Sequence, residues 1–484
     1  MNQSVIFRRL RREGEAPAEP KIPARGCQPQ ARLGRSLALP DRPYPSESIP
    51  WDSCSWPGLG QIALWFTPRI IMSRFILAGL EEMFRGRIRY RVWIIFLLAG
   101  CGFGVWNYRM QLQNGLVVTG LSDQVSWGLY IGNFAFMVGI AASAVLLVIP
   151  AYLFHREDFR KVVLLGEAMA VAAVLMAMLF VVVDLGRPDR MWHGLPFLGR
   201  LNFPLSLLAW DIIVLAGYLL LNIAIPFYVL HGYFAGKQPG HWIYFVFIII
   251  TIVWAISIHT VTAFVFSANP ARPFWHSALL GPRFIVSAFA SGPALVILAL
   301  QAIGRLTDFR VHAGVITTLT RILTVTMQIN LFFVGVELFT DFYNEQAHAA
   351  SARYLYLGLD GLAGLRGWIG SALVMNGVAT AILTIDPLRS QRGLLTIACV
   401  LGFFGIWIEK GIGLVVPGFI PTPLGEVFEY TPTSIEIGVS MGVLAFGTLV
   451  FTLLAKAAIG IEQGKAQRSL AGNQLKKRST KNTK

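Results

Sequence analysis

The 484-residue chain is 55% apolar and 14% charged, where soluble domains carry roughly a quarter charged residues. Apolar runs of roughly 20 residues recur from 91 to 460, each long enough to cross a hydrocarbon core about 30 Å thick, which excludes a soluble globular protein. The net charge of +15 sits at the chain ends and between those runs, the pattern that orients a membrane protein and not that of a nucleic-acid-binding surface.

Residues 1–72 are rich in Arg, Pro and Gly and lack sustained periodicity. They are expected to be a disordered or mis-annotated N-terminal extension, with the natural start at Met72 or Met83. A twin-Arg export signal is excluded, because no apolar core closely follows Arg8, Arg9, Arg11 and Arg12. Residues 73–90 read as a basic cytoplasmic segment, 91–460 as the transmembrane domain and 461–484 as a basic cytoplasmic tail. Lipid offers the backbone no hydrogen-bond partner, so the spans are expected to be helical and the fold all-α. About ten spans are expected: 91–109, 127–154, 161–183, 205–230, 241–266, 278–303, 315–341, 367–385, 393–416 and 436–459.

Counting Lys and Arg in the connections orients the bundle. Arg85, Arg87, Arg89 and Arg91 precede the first span, and Arg156, Arg160 and Lys161 follow the second. Lys237, Arg305, Arg310, Arg389 and Arg392 fall on the same side, as does the basic tail with Lys476 and Lys477. Both termini are therefore expected in the cytoplasm of a cell with an inner membrane. The 184–204 loop breaks the rule with Arg187, Arg190 and Arg200, which points either to docking or to ion pairing with Asp184 and Asp189.

Ionisable groups inside spans are costly and face a bundle interior, a cavity or a site. On this orientation Trp127, Asn133, Asp184, Asp211, His259, Arg283, Glu337, Asp341, Glu409 and Lys410 come from different spans yet share one depth band near the outer surface. A polar pocket there suits a quinone head group. Asp211 and His259 are the candidate proton-accepting groups, and Trp127, Tyr130 and Asn133 the candidate quinone-binding groups. Asp184, Arg187 and Arg283 read as structural or docking residues, the arginines pairing with Asp184 or with loop carbonyls. Arg321, Gln328, Asn330 and Glu337, with Glu409 and Lys410, form a candidate proton path; Glu409 beside Lys410 also suits a compensated pair. Each of these residues has a plainer role available in helix packing.

Cys27, Cys54, Cys101 and Cys399 show no Cys-x-x-Cys spacing, so no disulfide, metal site or iron–sulfur cluster is expected. His259 is the one histidine well inside a span, since His155, His231, His241, His276 and His312 lie near ends or in loops. No haem is expected, because no helix offers paired buried histidines.

Trp127-Gly-Leu-Tyr-Ile-Gly-Asn133 through Gly139 resembles the opening helix of the core bundle in the NrfD/PsrC family, the membrane subunits of polysulfide reductase and related complexes. Asp184-Leu-Gly-Arg187-Pro188, Asn202-Phe-Pro-Leu-Ser206 and Trp210-Asp211 are similar to its loop and next helix. Ser257-Ile-His259 through Phe264, Ala271-Arg-Pro273, Gly281-Pro-Arg283-Phe284, Glu409-Lys-Gly-Ile-Gly413 and Pro417 through Gly425 resemble its ten-span, DsrP-type branch. The resemblance covers about 85–462. It implies two four-helix bundles, here 127–266 and 278–416, with the first and tenth spans peripheral. It also implies a haem-free subunit that exchanges electrons between menaquinone or ubiquinone and an outer-face, ferredoxin-like iron–sulfur partner with further redox subunits. Such a subunit acts only within a complex; proton translocation stays open. A secondary transporter and a purely structural anchor are the competing readings.

Overall fold

The computed structural model describes residues 69–154, 156–195, 198–234, 241–307, 309–343 and 349–463. The expectations for residues 1–68, Cys27, Cys54, His155, Lys237 and the tail from 464 lie outside them. The described residues are mainly helical, with helices joined by loops and no named strand among them. The elements used below are α1 (Arg69–Phe84), α2 (Ile88–Asn114), α3 (Leu129–Leu153), α4 (Glu157–Asp184), α5 (Leu207–Phe234) and α6 (His241–Ser267). They continue with α7 (Leu280–Leu306), α8 (Ala313–Tyr343), α9 (Ala349–Tyr356), α10 (Arg366–Thr384), α11 (Arg392–Phe419) and α12 (Ser434–Glu462).

Ten of these helices are long and apolar enough to cross a membrane. They coincide with the expected spans, with ends moved by a few residues. The first runs five residues past the expected 109, to Asn114, because Gln111 is buried against protein and hydrogen-bonded there. The boundary drawn at residue 73 falls inside α1. That helix packs Phe75 and Ala78 against Leu230 of α5 and Ala458 and Ile461 of α12.

Helix packing separates two closed rings. In the first, α3 packs on α4, α4 on α5, α5 on α6 and α6 back on α3. In the second, α7 packs on α8, α8 on α10, α10 on α11 and α11 back on α7. The rings meet where α3 and α6 pack on α7 and where α3 touches α11. Gly132 permits the last contact: a Cβ there would sit 3.0 Å from the Gly411 carbonyl carbon, and small residues let helix backbones approach in lipid. The peripheral α2 packs on α12 through Gly104 and Gly442, where a Cβ on either would collide with the other's backbone. The outer face of α2 presents Val92, Ile95, Phe96, Val105 and Trp106, a surface that matches hydrocarbon.

Candidate functional site

The seam between the rings is built around α11. Trp407, Glu409 and Lys410 leave this helix in different directions, at about 100° per residue. Glu409 is buried and accepts hydrogen bonds from Arg283 Nη2 at 2.9 Å and Asn376 Nδ2 at 2.8 Å, with Asn330 Nδ2 at 3.3 Å. Arg283 donates its other terminal nitrogen to Glu337. Charged and amide side chains from all four helices, Arg283 of α7, Asn330 and Glu337 of α8, Asn376 of α10 and Glu409 of α11, therefore close the second ring. A buried charge survives in apolar surroundings only when paired and hydrogen-bonded in this way.

Two sequence expectations are corrected here. Arg283 pairs with Glu337 and Glu409, and not with Asp184 or loop carbonyls. Glu409 and Lys410 do not form an ion pair, because adjacent helical residues point apart. Lys410 Nζ instead donates to the Phe284 carbonyl at 3.3 Å and lies 4.2 Å over the Phe284 ring, a cation–π arrangement.

On the first-ring side, Asp211 is 3% exposed and accepts a 2.7 Å hydrogen bond from Thr262 Oγ1. Thr262 follows His259 by three residues, so both lie on one face of α6. His259 is 2% exposed, and neither of its buried ring nitrogens makes a hydrogen bond of good geometry, the nearest acceptor being the Ala255 carbonyl one turn back. Lys410 reaches the same seam from α11: a Cβ on Gly139 of α3 would sit 3.2 Å from its Nζ. An imidazole carries one donor and one acceptor when neutral, and leaving both unmet costs free energy. That orphaned pair is what a ligand with a hydroxyl or carbonyl would satisfy.

The three candidate quinone-binding residues are already held by protein. Asn133 Oδ1 accepts from Trp407 Nε1 at 2.8 Å, and its Nδ2 donates to Ser440 Oγ at 3.3 Å. Tyr130 donates to Gln111 Oε1 at 2.7 Å. Trp127 stacks on Trp275 at 5.6 Å and meets Phe266 and Phe419 edge-on. They form a rigid wall beside the seam, joined to it by Trp407.

At the α4 end the geometry again differs from expectation. Arg187 forms a 2.9 Å pair with Asp189, both exposed, and that hydrogen bond holds the Asp189 carboxyl below its usual range. Asp184 is not its partner; its buried Oδ1 has none. Arg321 and Gln328 also fall away from the candidate proton path. Both are exposed on the outer face of α8, where Gln328 donates to Thr384 at 2.9 Å. The buried members of that path are Asn330, Glu409 and Lys410, with Glu337 half-buried beside them.

Several residues escaped the sequence reading. Thr262 and Asn376 complete the two clusters, yet each is an ordinary polar residue in an apolar run. Glu167 is 4% exposed in α4 and forms no hydrogen bond or ion pair among the described residues; a lone carboxylate amid apolar neighbours was a readable signal. Glu436 closes a capping box on Thr433, and accepts from Gly120 N and Tyr430 Oη at 2.7 Å each. Burial, then the Glu436 carboxylate, pushes the Tyr430 phenol up, so it remains a proton donor to that carboxylate. These bonds tie the loops before α3 and α12 together over one end of the first ring.

Comparison with known proteins places this geometry. A family model described as "Polysulphide reductase, NrfD" matches residues 117–420. The chain is 27% identical over 398 residues to a putative dimethyl sulfoxide reductase membrane subunit of Halobacterium salinarum, covering 74% of this chain and 88% of that protein. It is 24% identical over 385 residues to an Hdr-like menaquinol oxidoreductase integral membrane subunit of Archaeoglobus fulgidus, covering 76% and 93%. It is also 24% identical over 392 residues to a menaquinone reductase integral membrane subunit of Nitratidesulfovibrio vulgaris, covering 75% and 90%. With the family match spanning well over half its length and both four-helix rings inside it, the chain belongs to the NrfD polysulphide reductase family of multi-pass membrane proteins.

Proposed function

We propose that this protein is the quinone-reactive membrane subunit of a multi-subunit respiratory oxidoreductase, and that it works at the seam lined by Asp211, His259 and Lys410. One observation carries the placement: His259 has two buried, unpartnered ring nitrogens on the face of α6 that also carries Thr262 and its bond to Asp211, while the buried Lys410 reaches the same seam from α11 beside Gly139 of α3. A quinol must release two electrons and two protons. A neutral His259 accepts the hydrogen bond of a quinol hydroxyl and then its proton, while the Asp211 carboxylate offers a second acceptor. Lys410 supplies positive charge where a deprotonated quinol oxygen would develop. The same groups serve as donors in the reverse direction, quinone reduction.

The names of two relatives contain menaquinol or menaquinone, which favours menaquinone over ubiquinone here. Electrons leave to a centre held by a partner, because the residues of the seam carry protons and not electrons. The partner is an iron–sulfur, ferredoxin-like subunit on the outer face, with both termini of this chain in the cytoplasm and the chain in the inner membrane. The 184–204 loop supports that docking: it exposes Trp192, Leu195 and Leu198 and carries the exposed Arg187–Asp189 pair. Assignment to the DsrP-type branch rests on the 409–413 and 417–425 motifs. Titrating a menaquinol analogue against tryptophan fluorescence tests the reading, since Trp127, Trp275 and Trp407 surround the seam. Saturable quenching that weakens in Asp211→Asn and His259→Ala is expected; unchanged binding in both variants moves the site elsewhere.

A further inference from the structure

A second feature lies on the opposite flank of the first ring, away from the seam. An apolar groove of about 250 Å³ runs between α1, α4, α5 and α12. It exists because the facing side chains are short: Ala168 on α4, Ala457 and Ala458 on α12, and Gly79 on α1. Pro226 of α5 also lines it, and proline removes the N–H that would have bonded the Asn222 carbonyl one turn back. From Leu454 to Ile461, both lining residues, the groove extends about 10 Å along α12 at 1.5 Å per residue. Ile76, Leu80 and Ile223 line it while 45–48% exposed, so the groove is open sideways to the bilayer.

Its other end carries charge. Met83 lines the groove, and the Tyr90 hydroxyl donates to the Met83 carbonyl at 2.6 Å, with Lys456 over the Tyr90 ring at 4.9 Å. Tyr90 therefore fixes the start of α2 against the groove's end. Arg87, Arg89 and Arg91 surround it in sequence, are exposed, and form no ion pair among the described residues. A basic helix start held at the end of an apolar slot that opens into lipid matches one class of molecule.

We propose that the groove binds an anionic phospholipid, one acyl chain between α1, α4, α5 and α12 and the phosphate at the basic start of α2, which carries Arg87, Arg89 and Arg91. Guanidinium groups recognise phosphate by paired N–H donors, and α1 clasps the chain from the flank. The bound lipid thereby anchors α1, which otherwise packs on α12 and α5, to the ring. This site is independent of the quinone reading.

The test uses the full chain in detergent, stripped of lipid, with phosphatidylglycerol or phosphatidylcholine of identical acyl chains added and adducts counted by native mass spectrometry. One basic residue near a lipid surface is worth about a fivefold preference, so phosphatidylglycerol is expected to bind on the order of a hundredfold more tightly. The triple variant Arg87→Gln/Arg89→Gln/Arg91→Gln should bring the two lipids level, with the chain still folded because these side chains are exposed. Ala168→Phe/Ala457→Phe should abolish the adduct of either lipid. Equal retention of both lipids by the wild type, no change in the arginine variant, or displacement of the lipid by a long-tailed quinone overturns the proposal.

Discussion

Replacing Glu409 by alanine tests the ion network that closes the second ring. The substitution removes the acceptor for Arg283 Nη2 at 2.9 Å and Asn376 Nδ2 at 2.8 Å, and the longer contact from Asn330. Hydrogen bonds to a charged group are worth about 1.5–3 kcal/mol each, and breaking a buried pair costs about 3–5 kcal/mol. Glu337 still faces Arg283, so the loss belongs near the lower end, about 3 kcal/mol. Glu409→Gln keeps the shape and one acceptor oxygen but turns an N–H₂ group toward existing donors, and should lose about 2 kcal/mol. Reversible unfolding of the detergent-solubilised protein reads both values, and the double variant with Arg283→Gln should lose less than the sum of the singles. A Glu409→Ala loss below about 1 kcal/mol, or strict additivity, would refute the view that these helices are joined by a desolvated pair.

Three further outcomes follow from the geometry. Asp211→Asn keeps the Thr262 hydrogen bond and the fold, but removes a proton acceptor, so quinol oxidation in the assembled complex should fall by about a hundredfold or more at unchanged melting temperature. Thr262→Val leaves the Asp211 carboxylate without its donor at 2.7 Å and should shift the pH profile of the same reaction; a profile identical to wild type would mean the pair is only structural. Gly104→Leu forces apart two backbones in contact at Gly442 and should cost about 1–3 kcal/mol, seen as early loss of α2 protection in hydrogen exchange. If protection is unchanged there, the α2–α12 contact is not what holds α2.

The spans were legible because lipid leaves one solution for an apolar run of this length. Burial of the polar span residues was legible too: Asp211, His259, Arg283, Glu409 and Lys410 come from four helices and are all buried among protein. Rotation about the helix axis was not legible. Arg321 and Gln328 sit at plausible depths yet turn outward, and Glu409 and Lys410 diverge because neighbours in sequence point apart on a helix. Asn133 was readable as a polar residue in a span, but not as one whose hydrogen bonds go to Trp407 and Ser440, 274 and 307 residues away. Helix α1 was hidden by the unusual composition before it and by its Arg and Glu residues, although Phe75, Ala78 and Gly79 already mark one apolar face.

The placement of the quinone at the seam is open to a direct measurement. A photoreactive menaquinone analogue would be irradiated with the protein in its complex, and the labelled peptides sequenced. Label on the segments around His259 in α6 and Lys410 in α11, reduced by excess unlabelled menaquinone and by His259→Ala, is the result this account predicts. Label confined to α1, α5 and α12, with the His259 and Lys410 segments clean, would contradict it and put the quinone in the flanking groove instead.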